Sequence, residues 1–160
     1  MCYACIIFFY YIYSFMKPEE TLDYHIRKAW HNIARIYNAE AARYQLTMSV
    51  GFVLLNIDQH EGTPSTKLGP KMGMEPRSLT RTLKTMEEEG LISRKNSKND
   101  KRSVRIFLTE KGKKKREIAR SKVVLLNEKL QTKLGKTKVK EFIGTLTKID
   151  ELLTDFEFKN

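Results

Sequence analysis

Between Pro76 and Gly90 two sets of side chains recur at the same spacing on opposite faces of one predicted helix. Arg77, Arg81 and Lys84 fall at intervals of four and three, and so do Leu79, Leu83 and Met86. With 3.6 residues per turn, this gives a helix with a hydrophobic back and a cationic front. Ser78 and Thr80 flank the arginines. A front of guanidinium, ammonium and hydroxyl groups offers hydrogen bonds to phosphate oxygens and to base edges in a major groove. Glu87-Glu88-Glu89 closes the C-terminal end, where carboxylates would be repelled by a nucleic acid. The N-terminal half is therefore the part expected to penetrate. An ordinary surface helix carries the same two-faced pattern, so the segment C-terminal to it has to discriminate between the two.

In that segment four cations, Lys98, Lys101, Arg102 and Arg105, occur within eight residues. Asp100 stands two positions before Arg102, where a carboxylate can hold a long arginine extended through a charge-assisted bond. An arginine presented that way suits a narrow minor groove. Taken alone, the segment is equally a polar hairpin tip. Behind a two-faced basic helix it reads as a second DNA contact.

No other constellation suggests chemistry. His25, His31 and His60 have no acidic partner at a telling spacing and no nucleophile near them. No glycine-rich phosphate loop and no HExxH or paired CxxC pattern occurs, so neither an enzyme nor a metal or cofactor site is expected. The two cysteines, Cys2 and Cys5, form a lone CxxC without a second half, too little for zinc or a redox site. With no disulfide framework, the cytoplasm is the natural compartment.

The elements that must position these residues can be read from periodicity. Pro18-Glu19-Glu20 opens a first helix, with proline suited to its first turn and acids favoured by the dipole. Its stripe Leu22, Ile26, Ala29, Ile33 and Ile36 carries it to about Tyr44. Thr47 caps a second helix through Ile57 that is apolar on most sides and central to the core. Thr63-Pro64 reads as cap and first position of a short third helix ending near Met72, with Pro70 expected to kink or tighten its last turn. Gly73 supplies the turn to the fourth, cationic helix, which begins at Glu75-Pro76 and ends at Gly90. From Leu91 the period becomes alternating: Leu91–Lys95 and Ser103–Leu108 read as strands around the turn-forming residues Asn96 to Lys101. Thr109-Glu110 caps a long fifth helix, Gly135 interrupts it, and a sixth carries Val139, Phe142, Ile143, Leu146, Ile149, Leu152, Leu153 and Phe156.

The architecture so read is mainly α with a small β-hairpin wing, a winged helix-turn-helix flanked by N- and C-terminal dimerisation helices. The 160 residues carry a net charge of +11. Residues 61–120 hold 17 Lys and Arg against 8 Asp and Glu, so most of the excess lies on the lobe that would meet an anionic partner. Residues 1–15 are uncharged and apolar but fall short of the ~20 residues a bilayer requires. They also lack the basic start of a signal peptide. Met16-Lys17-Pro18-Glu19-Glu20 looks like an ordinary start, so the prefix is expected to be an over-called upstream segment and no membrane partner is expected.

Three stretches are similar to the MarR family of bacterial transcription regulators. They are Ser78 to Arg81, Met86-Glu87-Glu88-Glu89-Gly90-Leu91-Ile92, and Asn99 to Gly112, with its aspartate-any-arginine wing followed by Leu108-Thr109-Glu110-Lys111-Gly112. The resemblance runs from about residue 20 to 156, and only Gly69-Pro70 in the third helix departs from the usual pattern. It implies a homodimer on a pseudo-palindromic operator, with residues 16–46 and 110–160 dimerising and 47–109 forming the DNA-binding lobe. Arg77, Ser78, Thr80, Arg81 and Lys84 would address the major groove. Arg102, oriented by Asp100 and flanked by Lys98 and Lys101, would enter the minor groove. Family members sense small aromatic molecules in a cleft beside the dimer helices, which Tyr24, His25, Trp30, His31 and Tyr37 would line here; the plainer reading places these five in an interface or core. No cysteine lies inside the domain to serve as a thiol sensor.

The apolar stripes of the first and sixth helices are longer than one winged lobe can cover, and stripes of that size mark an interface. The reading is thus a double-stranded-DNA-binding regulator, a ligand-released repressor acting as a homodimer. A winged module for protein or RNA contacts is the rival, and it has no need of Arg77, Arg81 and Arg102 in those positions.

Overall fold

The first acids do not begin the first helix. Pro18–Glu20 forms a single 3-10 turn, closed by the Thr21 hydroxyl donating to the Pro18 carbonyl at 2.8 Å. Thr21 is extended, and the helix α1 starts afresh at Leu22 and runs to Ala42. In the computed structural model the described residues are 17–96 and 104–157. The apolar prefix with Cys2 and Cys5, and the wing residues Lys98, Asp100, Lys101 and Arg102, lie outside them.

Gln45, at φ 53°, turns the chain out of α1, and Leu46 donates back to the Ala41 carbonyl at 3.0 Å. That reversal delivers Thr47 as the cap of α2 (Met48–Asn56), its hydroxyl accepting from the Val50 amide at 3.2 Å. Val50, Val53 and Leu54 are buried, and α2 packs against α1 and the three helices that follow the loop. It is the central helix expected from its all-round apolar sequence.

Thr63 and Pro64 do not cap the third helix. They form a two-residue strand β1 (Thr63–Pro64), and α3 spans Ser65–Met72 with Pro64 at its N-cap. The Thr63 hydroxyl turns back instead, accepting from the Asp58 amide at 2.9 Å. Helical periodicity could not reveal β1, because its partner lies forty residues further on. Pro70 is accommodated inside α3, whose last turn closes through Gly73 and Met74 donating to Pro70 and Gly69. Gly73, at φ 58°, supplies the left-handed turn into α4 (Pro76–Glu88).

Strands β2 (Ile92–Asn96) and β3 (Val104–Leu108) pair antiparallel, with Arg94 opposite Ile106, and β1 pairs with the other side of β3. The wing is therefore the free end of a three-stranded sheet in the order β1-β3-β2. Helix α5 (Glu110–Leu134) and helix α6 (Lys136–Thr154) complete the chain, divided by Gly135 at φ 87°.

The core lies inside the winged lobe. Leu46, Val53, Leu54, Ile57, Leu68, Leu83, Met86, Leu91 and Ile106 are among its buried side chains. By contrast, α1 and α6 bury no residue, and α5 buries only Gly112. Thr109 joins the two regions. Its hydroxyl accepts from the Gly112 amide at 3.0 Å and donates to the Gly90 carbonyl at 2.7 Å. Thr109→Ala is expected to destabilise the fold by about 1 kcal/mol, the usual worth of a helix cap, lowering the melting midpoint by roughly 2–4 °C. An unchanged midpoint in calorimetry would show that the hydroxyl contributes nothing.

Candidate nucleic-acid interface

Leu79, Leu83 and Met86 anchor α4 to the core and leave Arg77, Ser78, Thr80, Arg81 and Lys84 exposed, as their spacing requires. Neither Arg77 nor Arg81 forms an ion pair with a described residue. Their guanidinium groups stand a helical turn apart with donors to spare. Lys84 is weakly engaged, 3.8 Å from the Glu88 carboxylate. The Thr80 hydroxyl donates to the Pro76 carbonyl at 2.8 Å, so it faces outward as an acceptor.

Of the three glutamates after this front, Glu88 pairs within α4, while Glu87 and the backbone of Glu89 have partners that their sequence neighbourhood does not disclose. Glu87 pairs with Arg94 Nε at 2.8 Å, tying α4 to β2. The Glu89 carbonyl accepts from Lys111 Nζ at 2.7 Å, tying the end of α4 to α5. The side chains of Glu87, Glu88 and Glu89 all remain exposed. On the hairpin, Lys95 lies 5.1 Å from the centre of the Phe107 ring. Arg105, counted in the sequence with the wing cations, is instead folded onto the backbone: it donates to the Glu61 and Gly62 carbonyls at 2.9 and 3.1 Å.

A second feature is a narrow cleft of about 40 Å³ between α1, α2 and α5. Tyr37, Tyr44, Phe52, Leu55, Ile118 and Val123 supply an apolar lining, and Glu40 and Lys122 form an ion pair there at 2.7 Å. Of the five candidate effector residues, only Tyr37 lines it; Tyr24, His25, Trp30 and His31 do not. Trp30 stacks on Phe52 with ring centres 6.1 Å apart, so it props the cleft from outside. His25 bonds the Glu19 carbonyl at 2.7 Å with Tyr24 against its ring edge, and His31 is exposed. Tyr24, His25, Trp30 and His31 lie further toward the N-terminus of α1, whereas this cleft forms where the C-terminal part of α1 meets α2 and α5. Sequence reading misses Glu40, Tyr44, Phe52 and Lys122, because nothing local links position 40 to position 122.

Burial raises the Tyr37 phenol above its ordinary value, so it stays protonated. The hydrogen bond from Lys122 holds the Glu40 carboxyl below the usual range, and Glu40 in turn raises Lys122. Glu40's contribution to stability is therefore present above the ordinary carboxylate range and lost as pH falls through its lowered value. That of Lys122 is present below the ordinary lysine value and lost as pH rises through its raised one. Glu40→Gln should accordingly reduce stability near neutrality, and the difference from wild type should close on acidification below the carboxylate range, as read by urea unfolding at several pH values. A gap that persisted at the lowest pH would assign the effect to packing.

Among the described residues no three or more His, Cys, Asp or Glu side chains gather into a possible metal site, and no helix is long and apolar enough to cross a membrane.

Residues 46–104 match the MarR family model, a span that covers α2, α3, α4 and most of the sheet. Over 100 residues the chain is 33% identical to the organic hydroperoxide resistance transcriptional regulator of Bacillus subtilis, covering 62% of this chain and 68% of that one. Among solved structures, the fold is similar to the transcriptional repressor CouR bound to a 23-mer DNA duplex. That likeness has a TM-score of 0.71 and 26% identity over 84% of this chain and 96% of the other. The S. aureus MepR–DNA complex matches with a TM-score of 0.75 over 82% of this chain and 97% of its own, at 21% identity, which shows the shared fold. A buried-back, cationic-front second helix on a three-stranded winged sheet, together with these likenesses, places the chain in the MarR family of transcription regulators.

Proposed function

We propose that this regulator binds a pseudo-palindromic double-stranded operator as a homodimer in the cytoplasm and represses transcription until a small ligand releases it. The observation that carries the reading is the face of α4, where Arg77, Ser78, Thr80, Arg81 and Lys84 are exposed together opposite a buried apolar back. In the major groove this face reads base edges and phosphates, and Arg102, with Asp100, Lys98 and Lys101 beside it, reaches the minor groove. The DNA-bound state described for CouR supports it.

Residues 47–109 then form the DNA-reading lobe, and residues 16–46 and 110–160 the dimerising arms. Support for the second role comes from apolar side chains left exposed on all three arm helices: Leu22 and Trp30 on α1, Leu130 and Leu134 on α5, and Phe142 and Leu153 on α6. Apolar surface of that extent is covered by another chain in a stable protein. The ligand would be small and aromatic and would use the Tyr37 cleft; a CouR structure is described with bound p-coumaroyl-CoA. A response through a thiol would have to use Cys2 or Cys5, since the chain holds no other cysteine.

Selection of bound duplexes from random DNA, followed by titration against salt, tests the reading. Enrichment of two inverted half-sites about one turn, roughly 34 Å, apart with a steep salt slope is the expected result. Weak binding with no enriched motif would overturn it.

A further inference from the structure

Arg105 sits on the second residue of β3, at the root of the wing, opposite Pro64 in register. Strand β1 is only two residues long, and its second residue has no amide to donate, so the backbone ladder on this side of β3 is weak. The Arg105 side chain supplies what the ladder lacks. Its Nε donates to the Glu61 carbonyl at 2.9 Å and its Nη2 to the Gly62 carbonyl at 3.1 Å, with the Glu61 carboxylate 3.9 Å away. The two backbone acceptors belong to a loop that is itself closed. Asp58 accepts from the His60 and Glu61 amides, both at 2.8 Å, and its own amide donates to Thr63. Gly62 fits because it has no side chain: a Cβ there would lie 2.6 Å from the Ile106 carbonyl. Loop and strand are therefore in backbone contact, and the guanidinium spans them.

We propose that Arg105 is a positioning residue for the wing and not a contact to DNA. Held on the 58–62 loop, it fixes the direction in which β3 leaves the sheet, and so the place from which the wing addresses the duplex. This inference rests on the DNA-binding reading above. A planar fork with two parallel donors suits two neighbouring carbonyls, and a lysine, with a single nitrogen, cannot reproduce it.

The experiment measures operator affinity as a function of salt for the full chain, R105K and R105Q, on a duplex recovered by selection with the wild type. Melting curves confirm that each variant is folded at the temperature of measurement. Both variants are expected to bind about tenfold more weakly, a factor typical of losing one local interaction, with an unchanged slope of log affinity against log salt. If Arg105 instead met a phosphate, R105K would bind as the wild type does and R105Q would have a slope shallower by roughly 0.9, one ion pair fewer. That outcome overturns the proposal. So does lowered melting with wild-type affinity in both variants, because the clamp would then only stabilise the fold. If R105Q does not fold, R105K alone decides between the first two outcomes. A wild type that selects no motif removes the DNA-binding reading and the inference with it, and is recognisable because it appears before any variant is measured.

Discussion

Arg81→Ala is expected to weaken operator binding by about 1–3 kcal/mol per recognition helix and to relax the base preference at one position of each half-site. In a homodimer both half-sites lose the contact, so the total is roughly twice that, from about thirtyfold to more than ten-thousandfold. The expectation comes from where Arg81 stands. It lies between buried Leu79 and Leu83 on the helix but on the outer face, makes no ion pair with a described residue, and so has donors ready for a base edge. Folding should hardly change, because an exposed helical arginine replaced by alanine, the best helix former, leaves no cavity. The check is a titration with duplexes mutated one base pair at a time: wild type should discriminate strongly at one position per half-site and the variant should not. Equal affinity and equal discrimination in the two proteins would remove Arg81 from the reading surface.

Gly112→Ala should be a severely damaging single-methyl change. A Cβ at Gly112 would run into the Leu91 carbonyl oxygen, a backbone atom that no rotamer change can move aside. That oxygen already accepts from the Thr109 amide at 3.1 Å, and Leu91 is held by its own N–H donating to the Met86 carbonyl at 2.8 Å. Relief therefore requires lifting the start of α5 away from the sheet and breaking the Thr109 cap. The expected loss is about 3 kcal/mol, the upper end of overpacking costs, or roughly 6–12 °C in melting midpoint for a chain of this size. Because α5 links the winged lobe to the arm helices, a folded Gly112→Ala protein should also bind operator less tightly. A melting midpoint within 2 °C or so of wild type would show that the junction is softer than its contacts indicate.

The same junction explains the run from Leu108 to Gly112. Each residue has a task there. Leu108 ends β3 and packs on the core, Thr109 caps α5, Glu110 begins the helix and pairs with Lys113, Lys111 donates to the Glu89 carbonyl, and Gly112 lets the helix meet Leu91. In sequence the run marks a family; in space it is a close backbone crossing.

Much of this protein can be read from spacing alone. The six helices, the two wing strands, the caps at Thr47 and Thr109, the turns at Gly73 and Gly90 and the two faces of α4 are local consequences of residue order. They depend on the 3.6-residue period, on a hydroxyl placed before a helix, or on a glycine able to take a positive φ. Nothing beyond the nearest turn of chain is needed for them. Other features arise only when folding joins groups far apart in sequence. Thr63 and Pro64 join β3 and do not cap α3, because Ile106 and Arg105 offer them a ladder. The cleft gathers Glu40, Phe52 and Lys122 and leaves out Tyr24, His25, Trp30 and His31, because helix packing selects which stretch of α1 faces α2 and α5. Glu87 and Arg105, which in sequence stood as a repelled acid and a wing cation, become the ion pair that holds α4 on β2 and the clamp that holds β3 on its loop. A long charged side chain takes the nearest complementary group that folding brings within reach, and that partner is set by the three-dimensional course of the backbone.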